Sequence, residues 1–405
     1  MATLLPQFVL NIGKTSLSTC GLSQLRLSRA RAPLPPPSTN RIRAFSTHPA
    51  RFLQDQGAQP MRKLTYNVAA AFSAKSQKFD LATHVFHFNP YNRIQTEKKR
   101  PKPKRPASGQ DAFFISRVGD SNAVALGVAD GVGGWEESGV DPADFAHSFC
   151  DYMAFAAYEH KAEGEAHPLT PRALMQRGYD DVCKDRSIRA GGSTACVAIA
   201  SEDGKLEVAN LGDSGFVHLR LNAVHTYSES QTHAFNTPYQ LSIVPPSMLA
   251  RAAAFGGAQL CDYPRDADVT QHSLKHGDIV VFASDGVWDN LFNQDILRIV
   301  SRLMKGVGAW KTGEGGVRVV DDLRHFTQSP ESASRLVTLQ SALATEITAA
   351  AKAASTNQRL DGPFAKEVHK YYPEENWHGG KIDDICVVVL VASDNSKLPD
   401  VQSKL

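Results

Sequence analysis

No Cys-x-x-Cys pair occurs among Cys20, Cys150, Cys183, Cys196, Cys261 and Cys386, which excludes a thiolate zinc site of ordinary spacing; their scatter also argues against a disulfide framework. A reducing interior compartment is the expected setting. No apolar run approaches the roughly 18 residues that span a bilayer, so no transmembrane segment is expected. Neither a Walker motif nor a G-x-G-x-x-G is present, which removes the usual signs of nucleotide binding and of a doubly wound parallel sheet.

Acidic residues are missing from positions 1–54, which hold Lys14, Arg26, Arg29, Arg31, Arg41, Arg43 and Arg51 among many Ser and Thr. This is the profile of a mitochondrial transit peptide, and Arg41-Ile-Arg43-Ala-Phe45-Ser46 resembles a matrix-processing site, placing the leader at 1–45. A disordered tail with no address is the alternative. Cleavage there would remove six positive charges and turn the formal net charge from +2 to −4, a poor balance for nucleic-acid binding.

What remains is ample for one large domain: 405 residues, 42% hydrophobic and 21% charged. Five short apolar runs each carry an aspartate at one end: Asp111–Ile115, Val124–Asp130, Leu206–Asp213, Ile279–Asp285 and Asp383–Leu390. The aspartate follows three runs and precedes two, so strands of alternating direction would bring the five to one sheet edge. Two carboxylates about 4 Å apart repel by roughly 4 kcal/mol at an effective dielectric of about 20, so such a group calls for cations between its members. An all-oxygen set suits Mg²⁺ or Mn²⁺.

Asp141-Pro142 caps a helix with Phe145, Phe149 and Met153 at spacing four, and Thr170-Pro171 opens another with Leu174, Met175, Tyr179 and Val182 inside. Helical patterns return near 294–304 and 333–356. Between them, glycine-rich 305–330 reads as a surface insertion. Residues 46–104 read as a linker or N-terminal extension ending in the basic run Lys98–Arg105, and 396–405 as a tail. Grouped strands and paired helices predict an α+β class, a four-layer αββα sandwich of two antiparallel sheets flanked by helix pairs.

The ordered motifs Gly109-Gln110-Asp111-Ala112-Phe113, Val128 to Trp135, Gly191 to Ala195, Asn210 to Ser214, Ala283 to Asp289 and Asp383-Asp384-Ile385 resemble the metal-dependent type 2C serine/threonine protein phosphatases over about residues 105–395. The Asp-Gly-Val-Gly-Gly-Trp form and Gln231 to Leu241 resemble its mitochondrial branch. The resemblance implies dephosphorylation of mitochondrial phosphoproteins by a monomer in the matrix, using two Mn²⁺ or Mg²⁺ ions with a third as an option. It implies that Asp130 bridges both metals, the Gly131 carbonyl binds one, Asp285 and Asp383 hold the other, and Asp111 acts through water. Asp213 and Asp289 match a third-metal position, while Ser193 and Thr194 read as structural. Arg105 is the candidate for the substrate phosphate, since a guanidinium fork matches its oxygens; a solvated loop is the plainer reading of the basic run.

Three departures stand out. Val132 occupies a place often held by His, a candidate general acid, which leaves water or His233 for that task, with a core role for His233 the alternative. Gln110 replaces a frequent acid, and Pro106 stands near the usual phosphate-binding arginine. A phosphoprotein-binding pseudophosphatase is the competing function; so many mutually repelling carboxylates argue against it.

Overall fold

The computed structural model describes residues 63–89, 98–161, 168–254, 261–328 and 337–394. The expected leader, its processing site and the C-terminal tail lie outside them.

Among the described residues, eleven strands build two sheets. They are β1 (Leu64–Ser73), β2 (Val85–His87), β3 (Asp111–Arg117), β4 (Val124–Asp130), β5 (Ala195–Ala200), β6 (Lys205–Leu211), β7 (Gly215–Arg220), β8 (Ala223–Tyr227), β9 (Asp268–Ser273), β10 (Ile279–Ala283) and β11 (Ile385–Asp394). One sheet runs β2-β1-β11-β10-β7-β8 and the other β9-β6-β5-β4-β3, with antiparallel pairing throughout. Helices α1 (Pro142–Tyr158) and α2 (Pro171–Lys184) cover the second sheet, and α3 (Asn293–Gly306) and α4 (Leu339–Ser355) cover the first. The expected αββα sandwich is the observed fold.

Burial on both faces explains why β11 reads as an unbroken apolar run rather than an alternating one. Its Cys386, Val388, Leu390 and Ala392 pack between the sheets, while Ile385, Val387, Val389 and Val391 pack with Ile296, Val300, Leu343 and Ile347 of the helical layer. Asp141 caps α1 by accepting from the Ala143 N–H at 3.1 Å, and Thr170 caps α2 through the Ala173 N–H at 3.2 Å.

Residues 64–73 correct the expectation of a linker, because β1 pairs over its whole length with β11. Ala69, Ala70 and Ala71 obscure the strand in the sequence: small side chains are fully buried on both faces and leave no period-two signal. Within the stretch expected to be an insertion, Trp310–Gly313 pairs with Gly316–Val319 as a hairpin whose tip is exposed while Trp310 is buried.

Candidate metal centre

The ends of β3, β4 and β10, the loop after β6 and the residues leading into β11 carry the aspartates picked out in the sequence. Asp111 and Asp130 face each other directly across β3 and β4. The Asp130 backbone is pinned from below: its N–H donates to Thr194 Oγ1 at 3.1 Å, and its carbonyl accepts from the Thr194 N–H and from Ser193 Oγ, both at 2.9 Å. Ser193 and Thr194 therefore position the centre. The Gly131 N–H donates to the Gln110 carbonyl at 3.2 Å, which ties the second motif to the first.

A one-turn helix, Asp285–Trp288, begins where β10 ends and presents Asp285 and Asp289 on successive turns. Ser284 donates from Oγ to Asp111 Oδ2 at 2.5 Å and receives the Cys386 N–H at 3.0 Å, so one hydroxyl links three strand ends. Asp384 is a strut: its carboxylate accepts from the Lys75 N–H at 2.6 Å and the Gln110 N–H at 2.8 Å. Gly109, at φ +72°, lies so close to that carboxylate that any Cβ would collide with it.

Lys381 was not a candidate in the sequence, yet it is the cation that the structure brings to the aspartates. Its Nζ lies 2.6 Å from Asp285 Oδ2, 2.6 Å from Asp289 Oδ2 and 3.4 Å from Asp383 Oδ2. Asn290 holds its backbone from both sides, donating to the Lys381 carbonyl at 2.8 Å and accepting from its N–H at 3.0 Å. The signal available was its place two residues before Asp383 in Gly379-Gly380-Lys381-Ile382-Asp383.

Among the described residues, Lys381 is the only cation ion-paired with the six carboxyl groups of the centre. Burial, and then the neighbouring carboxylates, push Asp111, Asp130 and Asp213 well above the usual carboxylate range. Asp289 is pushed up to about 7 by burial, with Asp285 adding to the rise and Lys381 opposing it. Asp383 rises to about 6 by burial and the charge of Asp285. Asp285 alone ends low: burial raises it, but Lys381 and hydrogen bonds from Asp130 and Asp289 outweigh that.

Asp111 Oδ1, Asp213 Oδ1 and Asp285 Oδ1 are buried with no hydrogen-bond partner. Orphaned, hard, negatively charged oxygens in a common site are what a divalent cation needs, so the residues fit the expected ions. Asp213 also borders a cavity of about 260 Å³ lined by Ser228, Glu229 and Trp288.

Two further candidates are paired with other carboxylates. Arg105 donates from Nη1 to Asp144 on α1 at 2.8 Å. His233 is not in the core: it lies at the surface, with Nε2 2.9 Å from Asp262 and its ring stacked on Tyr239. A Cys-x5-Arg spacing, the cradle of cysteine phosphatases, occurs at Cys20–Arg26, outside the described residues, and at Cys183–Arg189. Cys183 lies in the last turn of α2, where the helix dipole disfavours a thiolate, and burial pushes its thiol up.

A family model described as Protein phosphatase 2C matches residues 104–317. Protein phosphatase 2C homolog 7, mitochondrial, of Saccharomyces cerevisiae is 32% identical over 329 residues, covering 80% of this chain and 82% of that protein. Protein phosphatase PTC7 homolog fig of Drosophila simulans is 35% identical over 308 residues, covering 74% and 84%. Among solved structures, the photosystem II phosphatase PBCP superposes with a TM-score of 0.50 at 24% identity, over 72% of this chain and 95% of that one, a likeness of fold.

Proposed function

The chain belongs to the protein phosphatase 2C family, and from that premise we propose that it hydrolyses phosphoserine and phosphothreonine esters of mitochondrial proteins with the help of two divalent cations, Mn²⁺ or Mg²⁺. The observation that carries this reading is the buried carboxylate group with orphaned oxygens on Asp111, Asp213 and Asp285. In it, Asp130, the Gly131 carbonyl, Asp285 and Asp383 would hold the two ions, with Asp111 contributing through water. Asp213 and Asp289 would hold a third. Bound there, the ions supply an ionised nucleophile at neutral pH and positive charge for the phosphoryl oxygens.

The chain's own residues do the placing. Ser193 and Thr194 fix the Asp130 backbone, Ser284 orients Asp111, and Asp384 holds the Gly109 turn against the end of β11. Lys381 keeps Asp285 ionised and aligned with Asp289. Val132 has no proton to give and His233 is engaged with Asp262, so our reading leaves protonation of the departing alkoxide to water.

Hydrolysis of p-nitrophenyl phosphate with and without Mn²⁺ tests the proposal, with Asp285→Asn as control. Activity only with metal, abolished by the substitution, is the expected result. Its absence under every metal condition would favour a phosphoprotein-binding module. Location rests on the acid-free leader and on the name of the yeast relative. Import of the full chain into isolated mitochondria should yield a product trimmed near Ser46 and shielded from protease in the matrix; an untrimmed, accessible chain would overturn it.

A further inference from the structure

A second group of ligand-type side chains lies in one short segment that the phosphatase reading does not use. Asp361 precedes α5 (Pro363–Tyr371), His369 sits near its C-terminal end, and His378 follows it in the next loop. One ligand atom from each lies within 4.8 Å of the other two. His378 Nδ1 is 3.0 Å from Asp361 Oδ2 and 3.2 Å from Oδ1, and the two imidazole rings stand 5.2 Å apart at 66°.

The surroundings orient these groups as metal sites are oriented. His369 Nε2 is 2.6 Å from the Trp377 carbonyl. A carbonyl can only accept, so Nε2 is the donor, and in the neutral ring Nδ1 then keeps a lone pair, the arrangement in which a backbone oxygen fixes the tautomer of a metal-binding histidine. Asp361 Oδ1 accepts the Gly379 N–H at 2.8 Å. Gly379 itself, at φ +87°, is packed so that a Cβ would meet the Asn357 carbonyl at 2.6 Å, which sets the turn just after His378. A simple ion pair between His378 and Asp361 explains neither the oriented His369 ring nor its approach to the other two.

We propose that Asp361, His369 and His378 form a second metal site, for a borderline transition ion of the Zn²⁺ class, which clips together the segment that delivers Lys381 and Asp383 to the aspartate centre. Two imidazoles and one carboxylate select against Mg²⁺, which prefers oxygen alone, so this site and the aspartate centre separate by metal type. Three protein ligands leave a fourth position for water, and exposed His378 keeps the site open to solvent. Both ends of the clipped segment reach the aspartates: the Phe364 N–H donates to the Asp289 carbonyl at 3.0 Å, and Lys381 lies three residues beyond His378. The proposal does not depend on phosphatase turnover.

Zinc binding to the full chain in saturating Mg²⁺ tests it, by calorimetry and by metal analysis after desalting, in wild type and in a His369→Ala/His378→Ala variant. Wild type should retain one more equivalent of Zn²⁺ than the variant, and Co²⁺ in its place should give visible d–d bands that the variant lacks. Equal stoichiometry in the two proteins would overturn the proposal. Should the double variant fail to fold, His378→Gln at the exposed position is expected to weaken the extra equivalent by at least about tenfold; unchanged affinity would refute the site equally.

Discussion

Acidic and basic residues meet in two regions of this molecule, with opposite outcomes. Along the basic run, nearly every cation finds an acid on α1, on α2 or in the turn just beyond it. Lys98 pairs with Asp181, Lys99 with Asp185, Arg100 with Asp151, and both Lys102 and Arg105 with Asp144. At the aspartate centre, Lys381 pairs with Asp285, Asp289 and Asp383, and among the described residues no other cation is ion-paired with these or with Asp111, Asp130 and Asp213. The first region is complete as a clasp that straps the chain ahead of β3 onto the helices. The second gathers more carboxyl groups than the cations paired with them among the described residues, and the proposed metal site rests on that imbalance.

The strongest way to break the contrast is to remove one acid from each region. Asp130→Asn should lower kcat/KM by at least about 10²–10³-fold, whereas Asp185→Asn should leave it within about twofold; steady-state kinetics in saturating Mn²⁺ reads both. Removing the shared cation comes next. Lys381→Met should destabilise the protein in EDTA by about 3–5 kcal/mol in denaturant unfolding, since it leaves buried carboxylates unpaired, and added Mn²⁺ should recover more stability than in wild type.

His147 lies between the two regions, with Nε2 3.1 Å from the Gly109 carbonyl and Nδ1 buried without a partner. Burial holds its pKa down to about 4, with Arg105 and Arg100 adding to the fall. The unfolded chain, near 6.5, then takes up a proton before the folded one does. Stability should fall as pH drops from about 6.5 to about 4, by up to about 3 kcal/mol, and level off below that. His147→Gln should flatten that stretch of the unfolding profile.

The smallest effects belong to the clasp. Lys98→Ala should cost less than about 1 kcal/mol, as exposed pairs do. Arg105→Ala should leave KM for a phosphopeptide within about twofold, because its guanidinium is committed to Asp144. A large rise in KM would move Arg105 from the clasp to the substrate.

Much of this was legible before folding. Short apolar runs ended by aspartates gave the strands, their shared edge and the acidic site, because alternation, caps and Asp-Gly turns are local chemistry. Strand β1 was not, since buried alanines carry no alternation, and its identity comes from pairing with residues more than 300 positions away. Lys381 was not either, for a lysine beside an aspartate pair reads as surface until Asn290 turns it inward.

The sequence by itself determined the family and the layer order and singled out the candidate acids, since these follow from residue types at fixed local spacings. Only the tertiary structure decided which cation meets those acids, where the basic run docks and how Asp361, His369 and His378 converge. Those outcomes depend on approach across space, and spacing along a chain does not encode distance once the chain has folded back on itself.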